Sequence, residues 1–108
     1  MTKEVTGQVT TILAAATTTG AGDGYQVPPG RAKRTFQAFV TGTGAVSATI
    51  DVEVSSDGQY WEKLATITLS GTTSDSDGFA SDAPWPNVRA NLTAVSGTGA
   101  AVTVKMGV

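Results

Sequence analysis

Between residues 46 and 54 the chain alternates strictly: Val46, Ala48, Ile50, Val52 and Val54 are apolar, and Ser47, Thr49, Asp51 and Glu53 are polar. A period of two puts the two sets on opposite faces of an extended strand, one toward a core and one toward solvent. The same period returns over residues 88–94, where Val88, Ala90, Leu92 and Ala94 share a side, and over residues 102–108, where Val102, Val104, Met106 and Val108 do. In residues 35–40, Phe36, Ala38 and Val40 form one face and Phe39 breaks the alternation. Residues 64–69 are strand-like with apolar side chains on both faces. The apolar stretch 9–16 is interrupted by Thr10 and Thr11 and followed by three more threonines, which favours an extended strand over a helical turn. A helical period of 3.6 is nearly absent from the chain.

The punctuation between these segments suits an all-β fold. Asp57-Gly58 separates two strands, and both residue types tolerate the positive φ of a tight hairpin. A Gly-Thr-Gly-Ala unit occurs twice, at residues 42–45 and 97–100, each time between two strands. The two units read as similar hairpins at equivalent corners of two facing sheets. Residues 17–24 and 71–77 read as loops, and residues 1–8, which lack a pattern, as an arm that orders against a partner. Seven or eight short strands with Gly-rich turns predict one antiparallel β-sandwich or jelly-roll domain over residues 1–108. Its predicted core is Phe36, Ala38, Ile50, Val52, Trp61, Leu64, Ile67, Leu69, Leu92, Val102 and Val104.

The chemistry on offer narrows the function. The 108 residues include neither Cys nor His, which removes disulfides, thiolate ligands, and the commonest general base and metal ligand. The net charge of −2 gives no field that would draw the chain to nucleic acid or to a membrane surface. No targeting segment is apparent, and the chain reads as mature and soluble. Charged residues make up 15% of it, well below the usual quarter, so the polar faces are made of Ser and Thr. Such faces suit a protein that packs against neighbours.

No nucleophile elbow, phosphate-binding loop or dinucleotide fingerprint is present. Asp51 and Glu53 share a strand face about 6.5–7 Å apart, a spacing that superficially suits a glycosidase pair, yet a solvated outer face explains them as well. Asp75, Asp77 and Asp82 offer oxygen ligands for calcium but lack the order of a known loop motif. The expectation is therefore a non-enzymatic chain with no catalytic residues, no metal and no cofactor. The basic group Arg31, Lys33 and Arg34 and the proline-clamped Trp85 are the candidates for contact with a partner. Trp85-Pro86 is a candidate cis bond, since that isomer occurs at X-Pro. Exposed rings at Tyr60, Trp61 and Trp85 would instead suit a carbohydrate-binding module, provided two of them lie coplanar in an open groove.

Two stretches carry a resemblance. Val54-Ser55-Ser56-Asp57-Gly58-Gln59-Tyr60-Trp61-Glu62-Lys63-Leu64 is similar to a strand–turn–strand unit of many phage virion proteins. Pro84-Trp85-Pro86-Asn87-Val88-Arg89-Ala90-Asn91-Leu92-Thr93, followed by Ser96-Gly97-Thr98-Gly99-Ala100, resembles the C-terminal stretch of the same group. These are small jelly-roll or β-sandwich proteins of tailed bacteriophages, among them the decoration, or cement, proteins of the head. The resemblance covers about residue 34 to the C-terminus. It implies a structural virion protein on the outer surface of the capsid, bound to the major capsid protein and often a homotrimer. A neck, tail or fibre component is the near variant. The resemblance supplies no catalytic or ligand residues.

Overall fold

The computed structural model describes residues 9–28, 30 and 32–108, together with the backbone of residues 3 and 4. Arg31 and most of the predicted arm at residues 1–8 lie outside the described residues; Lys3–Glu4 forms a two-residue strand, β1.

The strictly alternating segment becomes β6 (Val46–Ser55), the strand with long partners on both sides in its sheet. Its apolar set is buried and its polar set half-exposed, as the period of two requires. Antiparallel neighbours are β7 (Glu62–Gly71) on one side and β9 (Asn87–Ser96) on the other. Beyond β9 come two short strands, β3 (Gly20–Ala21) and β4 (Tyr25–Gln26), with β1 parallel to β4. The second sheet runs in the spatial order β2 (Val9–Ala16), β10 (Ala101–Gly107), β5 (Arg34–Thr41), β8 (Ser74–Ser81).

Take β3 and β4 as one interrupted strand and set β1 aside. Eight strands then interleave, first-eighth-third-sixth in one sheet and second-seventh-fourth-fifth in the other. This is a jelly roll, the two-sheet solution to the edge-strand problem named for eight antiparallel strands. The predicted fold class holds. Between the sheets lie Phe36, Ile50, Leu69, Leu92, Met106 and a set of valines, all at most 2% exposed, and Phe36 stacks on Phe79 with ring centroids 5.1 Å apart. The predicted core is largely present, but it omitted Ile12, Tyr25, Val27, Val40, Val46, Ala48, Val54, Val88, Ala90, Ala100 and Met106.

Several expectations are corrected. Among the described residues, only the Asp57-Gly58 turn makes a hairpin within one sheet. Both Gly-Thr-Gly units cross between sheets, from β5 to β6 and from β9 to β10, so they are matching corners but not hairpins. Residues 74–77, expected in a loop, begin β8; its inward positions opposite Val40 and Ala38 are Asp75 and Asp77, so no apolar alternation marks it. A bulge between β9 and β6 shifts the phase after Leu92: Ala94 is exposed and Val95 packs on the core. The Trp85-Pro86 bond is trans.

Trp61 is the remaining exception. It precedes β7, and a bulge at Val52/Glu53 breaks the phase between it and the buried Ile67 and Leu69. It is half-buried with the Arg89 guanidinium carbon 4.4 Å from its ring centroid, a cation–π contact on the outer face of the sheet. Leu64, next to that bulge, is half-buried and packs on the edge of the core.

Candidate interaction surface

The two ends of the sandwich differ in chemistry. One is made of the Gly-Thr-Gly corners. The other gathers the Asp57 hairpin, the proline-bearing segments around Val27 and Trp85, the start of β2 and the end of β10. Among the described residues the two exposed large hydrophobic side chains, Val9 at 66% and Tyr60 at 78%, are both at this second end.

Arg34 organises it. As the first residue of β5 it has the same parity as Phe36, Ala38 and Val40, so its side chain enters the mouth of the sandwich and is 5% exposed. Its Nη1 donates to the Trp85 carbonyl oxygen. Burial holds the guanidinium below its usual pKa by disfavouring the charged form. Trp85 precedes a proline and is therefore restricted to extended backbone, and the Pro86 carbonyl accepts from Val27 N–H at 2.8 Å. The ring of Trp85 is half-buried against the core. The chain thus pins both proline-bearing segments with backbone bonds and one buried cation.

The neighbouring hairpin is pinned as firmly. Ser55 Oγ donates to Asp57 Oδ1 at 2.9 Å and accepts from the Asp57 and Gly58 amides. Asp57 Oδ1 accepts in turn from the amides of Gln59 (2.9 Å) and Tyr60 (3.0 Å). Asn87 Nδ2 donates to the Ser55 carbonyl at 3.3 Å, tying the hairpin to β9. The Tyr60 amide, then that of Gln59, then Ser55 hold the Asp57 carboxyl below its ordinary pKa. A carboxyl lowered on folding stabilises the fold fully above the unfolded value of about 3.9 and loses that contribution as pH falls through the lower folded value. Asp57→Asn should therefore remove part of the acid limb of the stability curve. Melting temperatures of the two proteins, measured from pH 7 downward, should converge on acidification; a constant gap would show that the charge is not what holds the turn.

Of the residues marked in the sequence, the structure brings Lys33, Arg34 and Trp85 to this end. Lys33 is exposed, and it lines an open groove of about 920 Å³ with Asp82, Val9, Thr35, Ala80 and Gly107. The last four form one cross-strand row of the sheet. The other candidates separate. Asp75 Oδ2 accepts from the Ser70 amide, Asp77 from the Gly78 amide, and Asp82 stands in the groove, so the three aspartates do not make a calcium cage. Asp51 accepts from Thr66 Oγ1 at 2.7 Å, and Glu53 is held by Arg89 Nε at 2.6 Å and Asn91 Nδ2 at 3.2 Å. Both carboxylates belong to a cross-strand ladder on the outer face. Of the three rings proposed as a sugar platform, Tyr60 alone is exposed; Trp61 has Arg89 over it and Trp85 packs inward.

Sequence reasoning missed the exposure of Val9, the burial of Arg34 and the pairing of Arg89 with Trp61. The parity of Arg34 with Phe36 and Ala38 was the available signal for the second.

No protein-family model matches the sequence, and no curated protein does. The backbone is similar to the crystal structure of PBSX exported protein XepA, with a TM-score of 0.55 over 92% of this chain at 10% identity. This chain spans 36% of that protein's chain. At such identity the likeness is one of fold.

Proposed function

We propose that this chain is a structural, non-enzymatic protein of a tailed-phage particle, decorating the outer surface of the head by binding the lattice of the major capsid protein. The observation that carries this reading is the asymmetry of the sandwich. One end is locked by Arg34, Asp57 and backbone bonds and exposes Val9 and Tyr60 beside Lys33 and Asp82, while the strand faces carry mainly hydroxyls and small side chains. Groups fixed before contact lose little entropy on binding, which suits a small protein that must occupy many identical lattice sites. The resemblance of residues 54–64, 84–93 and 96–100 to virion proteins supports it, and the fold shared with PBSX exported protein XepA is compatible with it.

Quantitative mass spectrometry of purified particles tests it. The expected result is a copy number comparable to that of the major capsid protein. A few copies per particle would move the chain to neck, tail or fibre, and absence from particles would end the reading. One observation favours a second reading, carbohydrate binding: the Tyr60 side chain is 78% exposed and next in sequence to the half-buried Trp61. Glycan-array binding that is lost in Tyr60→Ala would support it.

A further inference from the structure

We propose that the free edge of β7 is where a second copy of this chain adds, pairing β7 to β7 across a two-fold axis at Ile67.

An edge strand offers unpaired backbone groups to any passing chain, and folded proteins blunt such edges. The other long edge strands here are blunted. In β8, Asp75 and Asp77 face inward opposite Val40 and Ala38, and the Asp77 carboxylate takes the Gly78 amide. In β2, register shifts and Ala15 at a φ of 46° break the ladder. Among the described residues, only the two-residue strands remain at the far side of the β6 sheet.

β7 differs. It is ten residues long, its pairing is with β6, and its middle (Ala65, Thr66, Ile67, Thr68, Leu69) carries no charge, proline, glycine or bulge. Asp75 takes the Ser70 amide, which shows that residues of that parity direct their backbone groups to the free edge. Thr66 and Thr68 have the same parity. Among the described residues nothing pairs with their N–H groups on that side. The Thr66 side chain is turned to Asp51 on the sheet face, which leaves its backbone available.

The register of the pair follows from these positions. With the axis at Ile67, Thr66 of one copy lies opposite Thr68 of the other, and each such pair can exchange two backbone hydrogen bonds. Ala65 then faces Leu69, Leu64 faces Ser70, and Lys63 faces Gly71, so no like charges meet. Thr–Thr pairs are among the favourable cross-strand neighbours on a sheet face. A second copy is therefore the occupant that fits: the strand is complementary to itself, and the join makes one continuous sheet from two. Such a two-fold contact cannot close a cyclic trimer; it would link trimers in pairs.

The test uses the full chain in sedimentation velocity over a concentration series, with amide hydrogen exchange at residue resolution. The expected result is an even-numbered species in which the Thr66 and Thr68 amides become protected as it forms. Thr68→Pro removes one of these donors at a position an edge strand tolerates, and should raise the dissociation constant by at least about tenfold. The double substitution Thr66→Lys with Thr68→Lys keeps every donor but sets like charges opposite one another, and should have the same effect with an unchanged monomer fold by circular dichroism. A monomer or odd-numbered oligomer, fast exchange at Thr66 and Thr68 in the assembled state, or assembly indifferent to the double substitution would each overturn the proposal.

Discussion

Gly97→Ala should destabilise the fold by about 3 kcal/mol, combining the left-handed backbone penalty with an overpacked contact. Gly97 has a φ of 117°, and a β-carbon built there stands 2.5 Å from the Ala45 carbonyl oxygen and 3.0 Å from Val46. Neither neighbour is a movable side-chain tip: one is backbone, and the other is a residue 3% exposed at the start of β6. The closeness is functional to the jelly roll. The corner from β5 to β6 lies directly against the corner from β9 to β10, with the Thr43 amide and hydroxyl both donating to the Thr98 carbonyl at 3.0 and 3.1 Å. The Gly42 amide donates to the Thr73 carbonyl at 2.9 Å, which draws in the crossing from β7 to β8. Three sheet crossings thus meet at one end, and a methyl group at Gly97 must push two of them apart. Gly44→Ala is the control: nothing lies within 4 Å of its added carbon, and its φ is not in the strained range, so the change should stay within about 0.5 kcal/mol. Urea unfolding of the three proteins measures both values. A Gly97→Ala loss below about 1 kcal/mol would mean that the corners can separate without strain.

How much of this was legible in the sequence depends on which force fixed each element. β6, β9, β10 and β5 have one face against the core, and burial writes an alternation that can be read directly. β8 escapes that reading because an edge strand needs few apolar contacts; Phe79 against Phe36 suffices, and the other inward positions go to Asp75 and Asp77. Bulges are equally silent. Ala94 and Trp61 continue a plausible period on paper, but an extra residue in one strand moves each to the other face. The twin Gly-Thr-Gly units read as matching corners from their sequence, yet whether a short link turns back within a sheet or crosses to the next is a matter of tertiary packing. For the candidate surface, the basic group and the flanking prolines single out Arg34 and Trp85 as separate contacts. Their bond to one another depends on the folded mouth of the sandwich, which brings together residues 51 positions apart.

That bond supports the second large effect: Arg34→Ala should cost about 3 kcal/mol, through the lost charged hydrogen bond and the space left by the aliphatic stem. The substitution removes a donor that the Trp85 carbonyl uses inside a buried mouth, where few replacements for it are within reach. It also removes the cost of burying a positive charge, so the net value is smaller than either loss alone suggests. Arg34→Met separates these contributions. It keeps most of the stem, sheds the charge, and lacks the donor, so it should recover at least half of the lost stability. It should not recover the order of the segment around Trp85. The Val27 amide, which donates to the Pro86 carbonyl, reports on that segment directly. Its hydrogen exchange should accelerate in Arg34→Met while amides of β5 and β10 remain protected. Binding to particles that lack the chain should weaken in parallel, because the locked end is the surface proposed to meet the capsid. Retained protection at Val27 in Arg34→Met would show that the prolines alone hold the segment, and the buried cation would then be a packing element of the fold with no part in presenting the surface.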